Sequence, residues 1–399
     1  MSSSTSSTGA ASRALADKVL SLADFEGLAR KRLPRPLFGY VAGACEDNQA
    51  LVANRAVFAE FELSTRVLVD VSSRSQEVEL FGRRYASPFG IAPMGIAALT
   101  AYRGDVVLAQ SARHAGIPAI MSGWSLIRME EVAQAAPDTW FQAYLSRRQD
   151  QADALIDRVR AAGFSTLVVT VDTPSPANRE NNLRTGFSSP LRPSLRLAWD
   201  GIARPRWLAG VFGRTLLRHG MPHFENWHGG RGVPMFSQSL DVDIAQRGHL
   251  TWTHIAGIRK RWQGRLVLKG ILSPHDAATA RQHGVDGIIV SNHGGRQLDG
   301  AVAPLRVLPA IREKFPDGPV MLDSGVRRGT DVLKALARGA SCVFLGRPFN
   351  YAAAVGGAAG VQHAIFLLQQ EISRDMAMMG MTSVSMLDSA CLVQVRPSR

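Results

Sequence analysis

The chain has 399 residues, is 46% hydrophobic, and carries 46 Lys and Arg against 33 Asp and Glu. That composition excludes a globally disordered chain and supplies a sizeable core, and the length admits either several domains or one large α/β barrel. The net charge of +13 favours anionic partners, whether a membrane surface, nucleic acid or acidic substrates. Three scattered cysteines, Cys45, Cys342 and Cys391, lack metal-ligand spacing and predict reduced thiols in a cytoplasmic setting.

Residues 1–12 are rich in Ser, Thr, Gly and Ala with no apolar stretch, and read as a disordered tail rather than a signal peptide. Residues 13–399 read as a single domain, with no run long enough to span a bilayer. Over 13–62, Leu20, Leu22, Phe25 and Leu28 fall at loosely helical spacing until Pro34 and Pro36 interrupt. Tyr40 follows, and its spacing alone makes it a core tyrosine.

From residue 88, short apolar runs alternate with amphipathic stretches. The runs are Phe89–Pro93, Pro118–Met121, Trp140–Tyr144, Thr166–Val171, Leu266–Leu268, Gly287–Val290, Val320–Leu322 and Cys342–Leu345. The helical stretches are 104–115, 127–136, 150–162, 273–283, 305–314 and 329–338, and Ser273-Pro274 and Gly329-Thr330 read as helix starts. Alternating β and α units imply a parallel sheet with right-handed crossovers. Eight of them predict a (β/α)₈ TIM barrel with an N-terminal helical segment and a long insert between strands 4 and 5. No early strand carries a G-x-G-x-x-G fingerprint, which argues against a dinucleotide-binding open sheet.

The insert, about 184–250, exceeds any ordinary loop. It holds Arg184, Arg192, Arg196, Arg204, Arg206, Arg214, Arg218 and Arg231 against Asp200 and Glu225, with Trp199, Trp207 and Trp227. Within it, Trp207, Leu208, Val211, Phe212 and Leu216 share one face of a predicted helix over 207–218. A basic amphipathic segment with Trp suits an anionic bilayer interface; the other readings are a lid or a subunit contact. No nucleic-acid-binding fold accompanies the charge.

In a barrel the C-terminal strand ends form the active face. Here the runs finish in Pro93-Met94-Gly95, Ser122, Gln142 and Tyr144, Thr170 and Asp172, Lys269, Ser291 and His293, Asp323 to Arg327, and Gly346-Arg347. Singly, each has a plain explanation: Thr170 could cap the sheet and Lys269 could pair with a carboxylate. Together they predict one polar mouth. His293 offers a base near neutral pH, Arg296 a carboxylate clamp, and Gly294 and Gly295 a sharp turn between them. The two Gly-Arg corners after runs seven and eight predict a phosphate-bearing cofactor.

The stretch Ser291-Asn-His-Gly-Gly-Arg-Gln-Leu-Asp299 resembles the signature of the FMN-dependent α-hydroxy-acid dehydrogenases and oxidases, which include L-lactate dehydrogenases, mandelate dehydrogenases and glycolate oxidases. Similar matches run from about residue 25 to 390, and the insert resembles that of the membrane-associated bacterial L-lactate dehydrogenases. The resemblance implies FMN as cofactor and His293 as the base, with Asp172 orienting it. It assigns Arg179 and Arg296 to the substrate carboxylate, Tyr40 and Tyr144 to its carboxylate and hydroxyl, and Lys269 to the flavin N1/O2 edge. Ser122, Gln142 and Thr170 would line the flavin ring, and Pro93, Met94 and Gly95 would pass its N5 side. Ser291, Asp323, Gly325, Arg327, Gly346 and Arg347 would hold the ribityl chain and phosphate.

The reaction so implied is oxidation of an L-2-hydroxy acid, L-lactate foremost, to the 2-oxo acid. A quinone or other respiratory acceptor would take the electrons from an enzyme peripheral on the inner face of the cell membrane. Relatives form homo-oligomers, often tetramers, and no metal is implied. An oxygen-dependent 2-hydroxy-acid oxidase and an (S)-mandelate dehydrogenase are the alternatives. Gly95 stands where oxidases of the family often carry alanine, and so resembles the dehydrogenases.

Overall fold

Eight parallel strands follow one another around a barrel: β1 (Phe89–Ile91), β2 (Ile120–Ser122), β3 (Trp140–Ala143), β4 (Thr166–Thr170), β5 (Arg265–Ile271), β6 (Gly287–Val290), β7 (Val320–Asp323) and β8 (Cys342–Leu345). From β2 to β8 each pairs with the next in sequence, and β8 pairs with β1. A bridge between Ile91 and Ala119, with the Ile91 N–H donating to the Pro118 carbonyl at 2.9 Å, joins β1 to the segment leading into β2. The computed structural model describes residue 15 and residues 17–189, 191–227, 229–236 and 248–395; the tail expected over 1–12 lies outside the described residues.

The strands are buried on both faces, as parallel strands wrapped in helices must be. On β6 and β7, Ile289 and Met321 join an inner cluster with Trp140, Val168, Val267 and Phe344. Their neighbours Ile288, Val290, Val320 and Leu322 pack outward against the helices. Tyr85 and Leu80, from a short hairpin at 78–85, join the inner cluster, with Phe81 5.6 Å from the Trp140 ring. The filled interior sends any ligand to the rim.

The outer ring is α1 (Gly104–His114), α2 (Met129–Ala135), α3 (Gln149–Ala161), α4 (Trp252–Arg261), α5 (Pro274–Gln282), α6 (Pro304–Lys314), α7 (Gly329–Ala337) and α8 (Arg347–Met378). The expected starts hold: Ser273 Oγ accepts from the His275 N–H at 3.2 Å, with Pro274 in the first turn. At α7, Asp331 accepts from the Arg327 and Arg328 N–H groups at 2.8 and 3.0 Å. Helix α8 corrects one expectation, since it is long and apolar enough to cross a membrane by length and composition. Half of its most apolar window is nevertheless buried in the fold, and Gly357 breaks its helical geometry. It serves as the barrel's last helix.

The N-terminal segment forms helices at Asp24–Arg32, Arg35–Ala42 and Gln49–Ala56. Pro36 opens the second of these instead of breaking it, because a first-turn N–H needs no intrahelical partner. The third has no side-chain cap of its own. Asp299 supplies one from the far end of the signature stretch, accepting from the Gln49 and Ala50 N–H groups at 3.1 and 2.8 Å.

In the insert, helical structure runs from Pro205 to His219 as expected, but its apolar face turns inward. Trp207 and Val211 are buried, the Trp207 indole N–H donates to the Leu99 carbonyl at 2.6 Å, and Phe212 stacks on Trp207. Leu217 on this run stays exposed, and further exposed apolar surface lies on the helix Leu195–Ile202, where Leu195, Trp199 and Ile202 are 92%, 69% and 57% exposed.

At Gly90 in β1, a Cβ would stand 2.5 Å from the Pro118 carbonyl oxygen and 2.7 Å from the Phe344 ring. Gly90→Ala therefore overpacks the closure, and we expect thermal and urea unfolding to register a loss of about 1–3 kcal/mol.

Candidate active site

The polar strand ends meet at the C-terminal rim, around a cavity of about 510 Å³. Tyr40, Pro93, Met94, Gly95, Ser122, Tyr144, Thr170, Arg179, Lys269, His293, Arg296, Asp323, Gly325, Arg327, Gly346 and Arg347 all line it. Three expected residues stand behind the wall. Asp172 reaches the cavity through His293. Gln142 is buried behind Ser122, whose Oγ donates to its Oε1 at 3.2 Å. Ser291 is fully buried behind Lys269 and His293.

The centre is a histidine–carboxylate pair. Asp172 Oδ1 lies 2.9 Å from His293 Nδ1. Since a carboxylate only accepts, the imidazole donates from Nδ1, which leaves Nε2 as its acceptor. Burial lowers the His293 pKa below its ordinary value, against the pull of Asp172. Burial would raise that of Asp172, but His293 and Lys269 outweigh it and hold the carboxyl below the usual range. The resting pair is a neutral base beside an ionised carboxylate.

Backbone irregularities bring this pair together. His293 sits at φ 58°, the left-handed region that a non-glycine residue rarely occupies, and its N–H donates to Ser291 Oγ at 2.9 Å. On β5 the register shifts between Lys269 and Ile271, and Gly270 adopts φ 112°. A Cβ at Gly270 would come within 2.5 Å of the Asp172 Cβ. Only glycine lets the Asp172 side chain pass.

Lys269 is 4% exposed. Its ammonium lies 2.9 Å from Asp323 Oδ2 and donates to Ser291 Oγ at 2.9 Å. Burial alone would lower its pKa; Asp323 and Asp172 more than offset that and hold it above the ordinary lysine value. This cation stays charged in the wall.

Four arginines complete the rim. The Arg179 Nε–H donates to the Arg296 carbonyl at 3.0 Å, and its other arm reaches Gln297. Arg296 donates to the carbonyls of Tyr40 and Gly43, both at 2.7 Å, and lies over the Tyr40 ring. Arg347 donates to the carbonyls of Val41, Gly294 and Gly43 at 2.8–3.1 Å. Burial, then neighbouring cations, press Arg347 down to about 9 and Arg296 to about 10. Arg327 is lowered too, by burial first. Crowded guanidiniums bonded to carbonyls gain from an anion placed among them.

These residues fit FMN. Thr170 Oγ1, Gln142 Nε2 and Asn350 Oδ1 are buried with no hydrogen-bond partner among the described residues; such atoms normally have one. Arg327 and Arg347 flank the β7 and β8 ends, where a phosphate would relieve their crowding. Arg179 and Arg296 sit with His293, where a carboxylate would.

Tyr40 corrects the spacing argument. It lines the cavity, its ring 4.4 Å from Phe187, and is not a core tyrosine. Sequence reasoning also missed Asn350, Phe187 and Ser324. Ser324 Oγ donates to Asp323 at 2.8 Å and accepts from the Gly294 N–H at 3.0 Å. Its position beside Asp323 in a Gly-rich corner was the available signal.

A family model described as FMN-dependent dehydrogenase matches residues 29–394. The chain is similar to the (S)-mandelate dehydrogenase of Pseudomonas putida, 35% identical over 374 residues, covering 94% of this chain and 93% of the relative. It is also similar to an L-lactate dehydrogenase of Pectobacterium atrosepticum, 37% identical over 381 residues and covering 94% and 97%. Among solved structures, monotopic membrane protein (S)-mandelate dehydrogenase superposes with a TM-score of 0.86 at 35% identity, covering 94% of this chain and 100% of that one.

Removing one partner of a buried ion pair strands the other charge. Lys269→Met should lower stability by about 3–5 kcal/mol in denaturant titrations, and the Lys269→Met/Asp323→Asn double variant should recover part of it.

Proposed function

The chain belongs to the FMN-dependent dehydrogenase family, and from that premise we propose that it oxidises an L-2-hydroxy acid, L-lactate foremost, to the 2-oxo acid, passing the electrons to a quinone or other respiratory acceptor. The observation that carries this reading is His293, paired with Asp172 at 2.9 Å and lining one cavity with Arg179 and Arg296.

Arg179 and Arg296 bind the substrate carboxylate and fix the α-carbon, the proximity contribution. Tyr40 and Tyr144 hydrogen-bond its carboxylate and hydroxyl. His293 Nε2 takes the substrate proton, and Asp172 stabilises the imidazolium that results. FMN, when bound, supplies the acceptor for the substrate's electron pair. Pro93, Met94, Gly95, Ser122, Gln142 and Thr170 would hold its ring. Asp323, Gly325, Arg327, Gly346 and Arg347 would hold its ribityl chain and phosphate. Lys269 would stand at the N1/O2 edge, where negative charge develops. Ser291 accepts from Lys269 and from the His293 N–H, which leaves its own O–H free to donate to the ribityl chain.

(S)-Mandelate is the second substrate reading. Trp124, Phe187 and Tyr144 give the cavity an aromatic side, and a phenyl ring packs favourably there.

The helix Leu195–Ile202 docks the enzyme on the inner face of the cell membrane. Its exposed Leu195, Trp199 and Ile202 stand with exposed Arg192 and Arg196, the pattern of an interfacial helix on anionic lipid. The three cysteines are free and buried, consistent with a reducing compartment. Leu183 is both exposed and part of the cavity lining, which puts an apolar side chain at the mouth through which a lipid-borne acceptor would approach. A homo-oligomer completes the reading, with exposed Phe366 and Met378 on α8 available to a second copy.

Anaerobic bleaching of the flavin by lactate, mandelate, glycolate and longer L-2-hydroxy acids tests the substrate, and reoxidation tests the acceptor. Rapid reoxidation by air with a poor response to quinone analogues would replace the dehydrogenase with an oxidase. His293→Ala should keep FMN and lose roughly 10²–10⁴-fold in kcat. With the His293 pKa lowered, the free enzyme holds its base deprotonated at neutral pH. We expect kcat/KM to be flat there and to fall only below the ordinary imidazole value of about 6.5. Leu195→Ser/Trp199→Ser/Ile202→Ser should leave bleaching intact and move the protein off anionic vesicles in a flotation assay; undiminished binding would remove this helix from the membrane reading.

A further inference from the structure

The inner half of the insert contributes to the catalytic face. Residues 222–227 pair with 230–235: the Phe224 N–H donates to the Val233 carbonyl at 3.1 Å, and that of Met235 to Pro222 at 2.8 Å. This hairpin packs on the loop after β2, residues 123–128, which carries Trp124. The Trp124 indole lines the cavity. Its ring meets Phe224 at 5.4 Å and Trp227 at 6.5 Å on the hairpin, and Tyr144 at 6.1 Å. The Trp124 carbonyl accepts from the Ile96 N–H at 2.9 Å. A Cβ at Gly95 would lie 3.2 Å from both the Trp124 Cβ and the Tyr40 hydroxyl. A shift of Trp124 therefore changes the width of the cavity above Gly95.

One side chain stitches the hairpin to this loop. Asn226 is 3% exposed. Its Nδ2 donates to the Ile127 carbonyl at 2.9 Å, and its Oδ1 accepts from the Met129 N–H at 2.8 Å. Met129 opens α2, whose flanking residue Arg128 provides no side-chain cap. Asn226 thus caps α2 from about a hundred residues away in sequence, satisfying an N–H that the helix leaves without a partner. The Glu225 N–H adds a bond to the Ser125 carbonyl at 3.2 Å. Arg158 on α3 donates to the Glu225 carbonyl at 3.0 Å and pairs with Glu130 on α2 at 2.7 Å. The loop is gripped at residues 125, 127 and 129, just beyond Trp124.

We propose that Asn226 is a positioning residue for the substrate's side chain: by clamping the 123–128 loop it fixes Trp124 and so sets which 2-hydroxy acids the cavity accepts. This rests on the hydroxy-acid reading of the site. The insert then has two separable faces, an outer one at Leu195–Ile202 and an inner one at 222–235 that supports the pocket wall.

The test compares FMN-loaded wild type with Asn226→Ala and Asn226→Asp. Steady-state rates are measured with L-lactate and (S)-mandelate. Flavin difference spectra are titrated with acetate and phenylacetate, which the enzyme cannot oxidise. Hydrogen exchange is followed over 122–135. In Asn226→Ala the lactate-to-mandelate ratio of kcat/KM should change by about ten-fold, more through KM than through kcat. The acetate-to-phenylacetate affinity ratio should move in the same sense, and the Met129 amide should exchange faster. Asn226→Asp keeps the acceptor for Met129 and should fall between the two. A purely structural residue would lower the melting temperature and scale every substrate alike, so a folded Asn226→Ala with both ratios unchanged overturns the proposal. Should Asn226→Ala fail to fold, Trp227→Leu removes a ring behind Trp124 and is read by the same two ratios. If no 2-hydroxy acid bleaches the wild-type flavin, the functional reading falls, while the carboxylate titrations still decide this inference.

Discussion

The rim depends on one constraint: charges taken out of water must be paired. Lys269 and Asp323 form one buried pair and His293 and Asp172 another, at 2.9 Å each. Ser291 joins them, its single oxygen accepting from the Lys269 ammonium and from the His293 N–H. Four consecutive strands, β4 to β7, thus end in one hydrogen-bonded chain. Removing Lys269 or Asp323 leaves its partner charged and unpaired in a medium where that costs several kcal/mol. The chain fixes the strand ends relative to one another, and it holds an imidazole neutral beside a lysine that stays charged.

The constraint leaves a surplus. Arg179, Arg296, Arg327 and Arg347 surround the same cavity, and the two carboxylates of the rim, Asp323 and Asp172, are already paired with Lys269 and His293. Burial first, then neighbouring cations, lower the last three, with Arg55 the cation beside Arg327. Ligand anions are the natural completion. A phosphate beside Arg327 and Arg347 and a carboxylate beside Arg179 and Arg296 would relieve each pair at its own end of the cavity. The protein should therefore be most stable when loaded, because whatever binds only the folded state stabilises it. The overall charge of +13 is thus concentrated partly in the rim and partly on the insert, with different anions as counterparts.

Much of this was legible in the sequence because barrels impose a period. Each strand was visible as an apolar run, and each polar residue just beyond a run was visible as a rim residue, so the lining set needed few corrections. What was hidden required contacts between distant segments. Tyr40 looked like core, since spacing along one helix carries no information about the Arg296 guanidinium that lies over its ring. Asp299 gave no sign of being a cap, because the helix it caps begins 250 residues earlier. The face of 207–218 was correctly read as apolar but assigned to the wrong neighbour. Periodicity says that a face is apolar; it does not say whether lipid or Leu99 will cover it.

That last distinction also explains how one insert can serve two ends. A segment that only docked on a membrane would need no buried polar contact with the barrel. Yet Asn226 is buried and makes two hydrogen bonds to the loop after β2, and Trp207 spends its indole N–H on the Leu99 carbonyl. Buried polar bonds are directional, and they cost more when broken than they contribute when formed; they fix register where apolar contact alone would allow sliding. The outer helix, exposed and making no such bond to the pocket wall among the described residues, can adapt to a fluid surface. The inner hairpin cannot move without moving Trp124. An insert anchored this way can bring the cavity mouth towards a membrane while keeping the geometry of the cavity itself independent of what the outer surface touches.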